Sequence, residues 1–479
     1  MVDSLKSWVT ASMAAGAIGV ALIASGCAGD KPVPDLAAIY GQAAREIGDE
    51  RVPVVVLPGI LGSKLERASS GKKVWGSFTF GASDADRPEG ARELALPMAM
   101  GVPLSKLRDD TVATDVLDVV VADVAIFRGL EIGAYVDILR TLAAGRYRDQ
   151  MLGESGAIDY GGAHYTCFQY AYDWRRDIAE QAVYLNQLIL TARETVRQAK
   201  GLPPSADVKV DVVAHSMGGM VLRYYLRYGT QPLPEDGSLP ELTWAGARHI
   251  DKAILIGTPS GGSVLSLQQL VRGWDLNPLF PNYRASLLGT MPAIYQLLPR
   301  ERHARVVHAE TGEPIALYDP QTWIDLEWGL ADPDEARILE WLIPDVDDPE
   351  ERRRIAIDHL TKCLAKAEQL HRALDVPAQL PDGLELMLFA GDAEDTPSAV
   401  TVESDGSFEI AEFAPGDNTV TRASALMDER LGSAFTPKLR TPVPWSRVQF
   451  ISADHLGLTK VPEFADNLLY ELLEDPRTR

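Results

Sequence analysis

A serine with small neighbours lies where a strand-like run passes into a helix-like run. Ser216 follows the β-branched, apolar segment 208–213 and precedes the helical pattern Met217 to Tyr228. Small residues stand two positions before and two positions after it, as the strained turn of a nucleophile elbow requires. A serine hydroxyl becomes a good nucleophile only when a neighbouring base takes its proton. The pattern therefore predicts that Ser216 is a nucleophile and that a base lies beside it in the fold.

His455 is the best-placed base. It is the only histidine beyond residue 371, and it lies in a loop after the predicted strand Arg447 to Ile451. Loops at the carboxyl ends of parallel strands are where the active sites of α/β proteins gather. A purely structural histidine is the alternative interpretation. His215, which precedes the nucleophile, is expected to point away from the site and to pack or form a hydrogen bond.

An acidic residue must hold the imidazole in the correct tautomer, and it should lie between Ser216 and His455 on a loop that follows a strand. Asp417, in Pro415-Gly-Asp-Asn-Thr-Val420, is the preferred candidate. A glutamate is also chemically permitted, and three aspartates compete on position alone: Asp392, Asp395 and Asp405.

Two backbone amides should stabilise the negative oxygen that develops on the substrate, each by about 3 kcal/mol. Met217 directly follows the nucleophile and supplies the first amide. The second should come from a turn after an early strand, and Leu57-Pro-Gly-Ile-Leu-Gly62 is such a turn. We therefore expect the Ile60 amide to be the second donor, with an ordinary β-turn as the alternative.

The pattern of strands and helices indicates how these residues are positioned. Five apolar runs have the length of strands buried on both faces of a parallel sheet: 51–57, 208–213, 253–256, 384–389 and 447–451. Helical patterns lie between them, at 135–144, 177–200 and 217–228. This alternation predicts an α/β fold with a doubly wound, mainly parallel sheet.

The alternation is interrupted between residues 262 and 380. This region contains Pro-rich irregular stretches and an amphipathic helical pattern from Pro349 to Leu374. Because the strand pattern resumes afterwards, we expect an inserted cap at 262–380 that divides the core into 51–261 and 381–479.

The first residues resemble an export signal. Lys6 precedes an apolar run from Trp8 to Ala24, and Ser25 and Gly26 come before Cys27. Ala24-Ser-Gly-Cys27 resembles the lipobox of bacterial lipoproteins, in which the cysteine is lipidated. We expect a signal peptide at 1–26, a lipidated Cys27, a tether at 27–50, and a catalytic domain held at a membrane of the bacterial cell envelope, outside the cytoplasm. An uncleaved membrane anchor and a plain secretory peptide are the alternatives.

Composition excludes some partners. A formal net charge of -22 over 479 residues opposes nucleic-acid binding, which needs a surplus of Lys and Arg on the contact face. The sequence has no Walker loop, dinucleotide fingerprint or paired histidine ligands, so we expect no cofactor and no metal. Cys167 and Cys363 could pair or stay reduced, and Cys363 lies on the apolar stripe of a helix.

Together these residues resemble the lecithin:cholesterol acyltransferase family, which includes lysosomal phospholipase. The matching pieces span most of the chain after the leader, in the order in which the family has them. They are Val56-Leu-Pro-Gly-Ile-Leu-Gly-Ser63, Tyr172-Asp-Trp-Arg175, Ala214-His-Ser-Met-Gly-Gly219, Ile256-Gly-Thr-Pro-Ser-Gly-Gly-Ser263, Met291-Pro-Ala-Ile-Tyr-Gln-Leu-Leu-Pro299, Gly416-Asp-Asn-Thr-Val420 and His455-Leu456.

The resemblance implies an α/β-hydrolase fold and a lipid acyl ester as substrate, with water or an alcohol as acceptor. It also implies Ser216, Asp417 and His455 as a catalytic triad, and it favours Asp417 over its competitors. Ser260 departs from the family, which commonly has Trp there, and residues 63–133 do not follow the animal enzymes closely. Two other functions stay open: a hydrolase of soluble esters or thioesters, and a catalytically silent lipid-binding envelope lipoprotein.

Overall fold

The computed structural model describes residues 33–46, 48, 51–77, 83–117, 134–151, 165–275, 281–430 and 436–477. The chain divides into two units, Met1–Asp35 and Leu36–Arg479, and the fold given below is that of the second unit. The predicted signal peptide and Cys27 lie outside the described residues.

A six-stranded parallel sheet forms the centre of the second unit. In chain order the strands are β1 Val54–Leu57, β2 Ser63–Arg67, β3 Lys73–Trp75, β4 Thr111–Val116, β5 Cys167–Gln169, β6 Val210–His215, β7 Ile250–Ile256, β8 Arg305–His308, β9 Glu385–Gly391, β10 Glu394–Val402, β11 Phe408–Gly416 and β12 Arg447–Ile451. The central sheet has the order β12-β9-β7-β6-β1-β5. Two three-stranded sheets accompany it, with the orders β11-β10-β8 and β3-β2-β4.

Helices connect and cover these strands. The α-helices of the described residues are α1 Leu36–Tyr40, α2 Pro88–Leu94, α3 Ala134–Ala144, α4 Ile178–Ala199, α5 Met217–Tyr228, α6 Val264–Arg272, α7 Ala285–Leu288, α8 Pro292–Tyr295, α9 Pro320–Asp325, α10 Ala336–Leu342, α11 Pro349–Asp375, α12 Arg422–Leu426 and α13 Pro462–Leu473. Short 3₁₀ helices lie at Ala43–Arg45, Leu104–Lys106, Gly246–His249, Gly329–Ala331, Pro333–Glu335 and Gly457–Thr459.

Both faces of the central sheet are buried. Along β1, Val54 and Val56 pack with α3 and α13, whereas Val55 and Leu57 pack on the opposite face with α4 and α5. Side chains of successive strand residues point to opposite faces, so a strand covered on both sides must be apolar at every position. Full burial of each valine or leucine side chain stabilises the folded state by roughly 1.5 to 3 kcal/mol. The expected doubly wound α/β architecture is therefore confirmed.

The five strands expected from the sequence all lie in the central sheet, as β1, β6, β7, β9 and β12. The sixth, β5, was not predicted, because its three residues are too short to give a strand pattern. The expected helices correspond to α3, α4, α5 and α11. Each of these begins and ends within one residue of the expected bounds.

The region predicted as a cap contains α6 to α11 and one strand, β8. β8 pairs in parallel with β10, which lies beyond residue 380. The cap and the second part of the core therefore share a small sheet, and the boundaries at 262 and 380 stay predictions.

The sequence left open whether Cys167 and Cys363 form a disulfide, and the structure shows that they do not. Cys167 lies in β5 and Cys363 lies in α11, and both are buried and unpaired. Among the described residues, no helix has the length and apolar character needed to cross a membrane.

Candidate active site

Ser216 occupies a sharp turn between β6 and α5. Its φ of 53° and ψ of -126° lie outside the regions that non-glycine residues favour, which is the strain expected of a nucleophile elbow. A β-carbon on Gly218 would lie 2.4 Å from the Pro58 carbonyl oxygen, and one on Gly219 would lie 2.0 Å from Thr258 Oγ1. The two glycines after the serine thus let α5 approach the neighbouring turns closely.

The three residues predicted as a triad meet in one line of hydrogen bonds. Ser216 Oγ lies 2.9 Å from His455 Nε2, and His455 Nδ1 lies 2.8 Å from Asp417 Oδ2. The residues are 239 and 38 positions apart in the chain. In this arrangement Asp417 orients the imidazole, and the imidazole can take the proton of the serine hydroxyl.

The Gly-Asp-Asn-Thr-Val segment forms a tight loop that presents Asp417. Asp417 Oδ1 accepts hydrogen bonds from the backbone amides of Thr419 at 3.0 Å and Val420 at 2.6 Å, which leaves Oδ2 for His455. The His455 amide also donates to the Asp417 carbonyl oxygen at 2.8 Å. The acid is 1% exposed, and both of its carboxylate oxygens have partners, as a buried charge requires.

The competing aspartates have other surroundings. Asp392 lies 3.8 Å from the Arg422 guanidinium, and Asp405 accepts hydrogen bonds from Ser407 in an exposed turn. Asp395 is exposed on β10. His455 Nδ1 is bonded to Asp417 alone among these four candidates.

The two amides predicted as oxyanion donors belong to the residue after Ser216 and to a turn that packs against Ser216. The Met217 amide is the first of α5, where the unpaired N–H groups and the helix dipole favour negative charge. The Ile60 amide belongs to the turn after β1, in which Gly62 N donates to Gly59 O at 3.1 Å and Leu61 has a φ of 64°. Within the described part of the chain, neither amide has a hydrogen-bond partner.

Three aromatic side chains donate hydrogen bonds to backbone carbonyl groups of this turn and of the residue that follows it. Tyr172 donates through its hydroxyl to the Pro58 carbonyl at 2.8 Å, and Trp174 Nε1 donates to the Ser63 carbonyl at 3.2 Å. Trp75 Nε1 donates to the Leu61 carbonyl at 2.9 Å. The Tyr172-Asp-Trp-Arg175 segment thus supports the turn after β1, a role that the sequence alone did not reveal.

Arg175 anchors the same segment. Its fully buried guanidinium lies 2.7 Å from Asp173 and 2.8 Å from Asp109, and it also donates to the Leu94 carbonyl. A buried charge with its partners satisfied is rigid. The Tyr172-Asp-Trp-Arg175 segment, which supports the oxyanion turn, is therefore fixed to the surrounding core.

A cavity of about 440 Å³ opens beside Ser216. Its apolar lining comes mainly from Ile60, Leu61, Leu265, Trp274, Leu297 and Leu456. No Asp, Glu, Lys or Arg is among the described residues that line it. Largely apolar, uncharged walls of this kind suit the hydrocarbon part of a ligand.

His215 forms hydrogen bonds to groups other than the serine hydroxyl, as expected. Its Nδ1 lies 3.3 Å from the Tyr135 hydroxyl, and its Nε2 lies 3.1 Å from the His455 carbonyl oxygen. Burial, together with the nearby His455, lowers the pKa of His215 to about 3. His215 is therefore neutral near pH 7 and does not compete for the serine proton. The sequence pattern gave Tyr135 no part in the site.

The sequence matches the family model described as "Lecithin:cholesterol acyltransferase" over residues 136–320. The chain also resembles solved structures at low sequence identity. A chain from the crystal structure of the Tle4-Tli4 complex is 14% identical, with a TM-score of 0.55 over 88% of this chain and 98% of that one. Likeness at this identity supports the fold alone.

The chain has an α/β-hydrolase fold, and it resembles the lecithin:cholesterol acyltransferase family over residues 136–320. EstA from Clostridium botulinum is 14% identical to this chain, with a TM-score of 0.35 over 94% of this chain and 92% of that one. Lipase 1 from Pelosinus fermentans is 13% identical, with a TM-score of 0.33 over 89% and 99% of the two chains. No curated protein matches this sequence.

The family match covers part of the candidate site. Ser216, Met217 and the Tyr172-Asp-Trp-Arg175 segment lie within residues 136–320, whereas Ile60, Asp417 and His455 lie outside that range. The match supports an acyl-ester hydrolase or acyltransferase. The described residues contain no group of three or more His, Cys, Asp or Glu side chains that could hold a metal ion.

Proposed function

We propose that the chain is a serine acyl-ester hydrolase or O-acyltransferase that acts on lipid esters through an acyl-Ser216 intermediate. The observation that carries the proposal is the hydrogen-bonded line from Ser216 to His455 to Asp417 at the wall of an uncharged cavity. A binding protein needs a cavity but has no need of this line.

The first half of the reaction forms the acyl-enzyme. His455 Nε2 accepts the hydroxyl proton while Ser216 Oγ forms a bond to the ester carbonyl carbon. The amides of Ile60 and Met217 donate to the resulting oxyanion. The bond to the leaving alkoxide then breaks, and His455 returns the proton to that oxygen, so that an alcohol departs.

The second half repeats these steps with a new nucleophile. Water or an alcohol gives its proton to His455 and attacks the acyl carbon, and Ser216 leaves with the proton restored. Water yields a free acid, and an alcohol yields a new ester. Hydrolase and transferase therefore differ only in which molecule reaches the acyl-enzyme.

The cavity supports a lipid as the acyl donor. Each methylene group that moves from water into an apolar site contributes about 0.8 kcal/mol, so a long acyl chain gains much more from this cavity than a short one. The described lining offers no charge to bind the anionic or cationic group of a small soluble ester.

One experiment tests the serine mechanism. The full chain, solubilised in detergent, is incubated with short-chain and long-chain acyl esters and with phospholipid vesicles, with and without an alcohol acceptor. We expect turnover that Ser216→Ala lowers on the order of a millionfold, as removal of a triad nucleophile does. A fluorophosphonate probe should label the wild type and leave Ser216→Ala unlabelled.

Ser407→Ala is the matched control, since Ser407 lies in an exposed turn and bonds Asp405. It should keep full turnover and full labelling. Equal activity in wild type and Ser216→Ala would refute the serine mechanism. Ligand binding without any turnover would favour the silent lipid-binding protein, and rates independent of chain length would favour a hydrolase of soluble esters.

We also propose that the chain is exported and held at the membrane through a lipidated Cys27. The support is the leader sequence, with its apolar run and the segment Ala24-Ser-Gly-Cys27. Mass spectrometry of membrane-extracted protein should find an acylated Cys27 as the first residue. Cys27→Ser should lose this modification, and an unmodified N-terminus beyond residue 27 in the wild type would exclude it.

A further inference from the structure

Two buried polar side chains, Tyr135 and His215, connect the oxyanion turn to the base, and neither forms a hydrogen bond to the serine hydroxyl. Tyr135 lies in the first turn of α3, 76 positions after Gly59, and its hydroxyl lies 2.7 Å from the Gly59 amide nitrogen. The same hydroxyl lies 3.3 Å from His215 Nδ1. His215 Nε2 in turn lies 3.1 Å from the carbonyl oxygen of His455. Gly59, Tyr135, His215 and His455 thus form one continuous chain of contacts, which we call the bridge.

The partners at each end fix the direction of every hydrogen bond in the bridge. A carbonyl oxygen can only accept, so His215 Nε2 must carry the proton that it donates to His455. Because burial lowers the pKa of His215 to about 3, the ring is neutral and Nδ1 is an acceptor. The Tyr135 hydroxyl therefore donates to Nδ1, and its oxygen accepts the Gly59 N–H. Each group of the bridge is satisfied in one orientation only.

One end of the bridge fixes the oxyanion turn. Gly59 is held at its N–H by Tyr135 and at its C=O by the Gly62 amide, at 3.1 Å. The C=O of Gly59 and the N–H of Ile60 belong to the same planar trans peptide, so they point in opposite directions. Holding the C=O toward Gly62 therefore sets the direction of the Ile60 N–H.

Close packing adds to this restraint. A β-carbon on Gly62 would lie 2.7 Å from Tyr135 Cε2, and one on Gly59 would lie 2.7 Å from Ser216 Cβ. The tyrosine ring and the turn thus leave each other little freedom to move.

The other end fixes the backbone of the base. The His455 amide donates to the Asp417 carbonyl, and the His455 carbonyl accepts from His215. The residue that carries the imidazole is thus held on both sides, once by the acid loop and once by the residue that precedes the nucleophile.

We propose that Tyr135 and His215 are positioning residues whose bridge aligns the Ile60 amide and the His455 imidazole with Ser216. The proposal rests on the proposed function, since it concerns the same reaction. Neither residue exchanges a proton with the substrate. They keep the Ile60 amide and the His455 imidazole correctly oriented relative to Ser216. The rate of the chemical step depends on this orientation.

Three conservative variants break the bridge at different links. Tyr135→Phe removes the hydroxyl and both of its hydrogen bonds. His215→Gln places an amide nitrogen near the position of Nε2, so it keeps the donor to His455 and loses the contact with Tyr135. His215→Asn places its amide near the position of Nδ1, so it keeps an acceptor for Tyr135 and loses the contact with His455.

The experiment measures kcat and KM of the full chain on an acyl ester, per active site titrated with a fluorophosphonate. We expect Tyr135→Phe and His215→Asn to lower kcat by about 10- to 100-fold, with KM within about twofold of wild type. The double variant Tyr135→Phe/His215→Gln should have the kcat of Tyr135→Phe, because both changes break the same link.

Tyr228→Phe is the matched control. Its hydroxyl is also buried and donates to the Ala373 carbonyl at 2.7 Å, at the far end of α5. It should lower thermal stability about as much as Tyr135→Phe but leave kcat per titrated site unchanged. A purely structural role for Tyr135 predicts the same outcome for both tyrosines, because misfolded molecules are not titrated.

The outcomes separate this proposal from the one on which it rests. Turnover that depends on Ser216, combined with a Tyr135→Phe kcat within twofold of wild type, would overturn the bridge and leave the serine mechanism intact. Multiplicative losses in the double variant would also overturn it. Absence of Ser216-dependent turnover in the wild type would remove the proposed function, and the bridge with it.

Discussion

Gly257 lies directly against the imidazole of His455. A β-carbon on Gly257 would lie 3.1 Å from His455 Nδ1 and 3.2 Å from Asp417 Oδ2, the two atoms that form the hydrogen bond between base and acid. Its φ of 54° is one that residues with a β-carbon rarely adopt. The glycine after β7 thus leaves room for that hydrogen bond.

We expect Gly257→Ala to lower kcat at least tenfold, because the added methyl group crowds the atoms that orient the base. Positive φ alone should cost about 1 to 2 kcal/mol of stability. Gly201→Ala is the control, since Gly201 has a similar φ of 62° with nothing within 4 Å of an added β-carbon. Steady-state kinetics and urea unfolding should find similar losses of stability but a loss of kcat only at Gly257. Equal kcat in the two variants would contradict this role.

The assignment of the acid makes a second prediction. Asp417→Asn keeps the size of the side chain but removes the charge that stabilises the protonated imidazole, so kcat should fall by about 10⁴-fold. Asp405→Asn, which alters a competing aspartate that bonds Ser407, should keep wild-type kcat. Measuring both with one ester decides between them. A larger loss at Asp405 than at Asp417 would reverse the assignment.

The cavity makes a third prediction, about chain length. Leu265 lines it from the first turn of α6, so Leu265→Trp should fill part of the space that a long acyl chain needs. Overpacking of this kind typically costs 1 to 3 kcal/mol, so kcat/KM for palmitate esters should fall about tenfold or more. Butyrate esters should be affected little.

Leu190→Trp, at an exposed position of α4, controls for the added indole. It should leave the chain-length profile unchanged. If Leu265→Trp lowers kcat/KM for butyrate and palmitate esters by the same factor, the acyl chain does not occupy this cavity.

The parts of the site that the sequence predicted are those with strong local patterns. β6, the turn at Ser216 and α5 are contiguous, and each has its own periodicity, so the elbow could be identified without tertiary information. His455 could be placed because it follows β12, and a parallel sheet brings the loops after its strands to one edge. Asp417 follows β11, which lies outside the central sheet, so the resemblance to the family was needed to favour it over the other aspartates. That His455 and Asp417 lie within hydrogen-bond distance is a property of the structure.

Tertiary proximity explains what the sequence could not provide. The Tyr135 hydroxyl contacts Gly59 and His215 from a helix that looks like any other amphipathic helix in the sequence. Gly257 belongs to the family motif at 256–263, but its role could not be predicted because it depends on how closely His455 approaches. Such roles depend on long-range contacts that no local pattern encodes.

Buried histidines should make the stability of the protein depend on pH. Burial lowers the pKa of His303 to about 3, with the neighbouring Arg300 and Arg302 adding to the shift, and burial lowers that of His371 to about 3. In the unfolded chain each imidazole takes up a proton near its usual pKa of about 6.5. Between these values the unfolded state binds more protons, so acid favours unfolding.

Above about pH 7, these histidines should therefore have little effect on the free energy of unfolding. Below about pH 6, each histidine should lower the free energy of unfolding by about 1.4 kcal/mol for each unit by which the pH falls. Urea unfolding at a series of pH values measures this slope. His303→Leu isolates one contribution, because neither ring nitrogen of His303 has a hydrogen-bond partner among the described residues. The variant should have a slope about 1.4 kcal/mol per pH unit shallower, and it should gain stability relative to wild type as the pH falls. An unchanged slope would mean that His303 also takes up its proton in the folded chain, and burial would then not be what keeps it neutral.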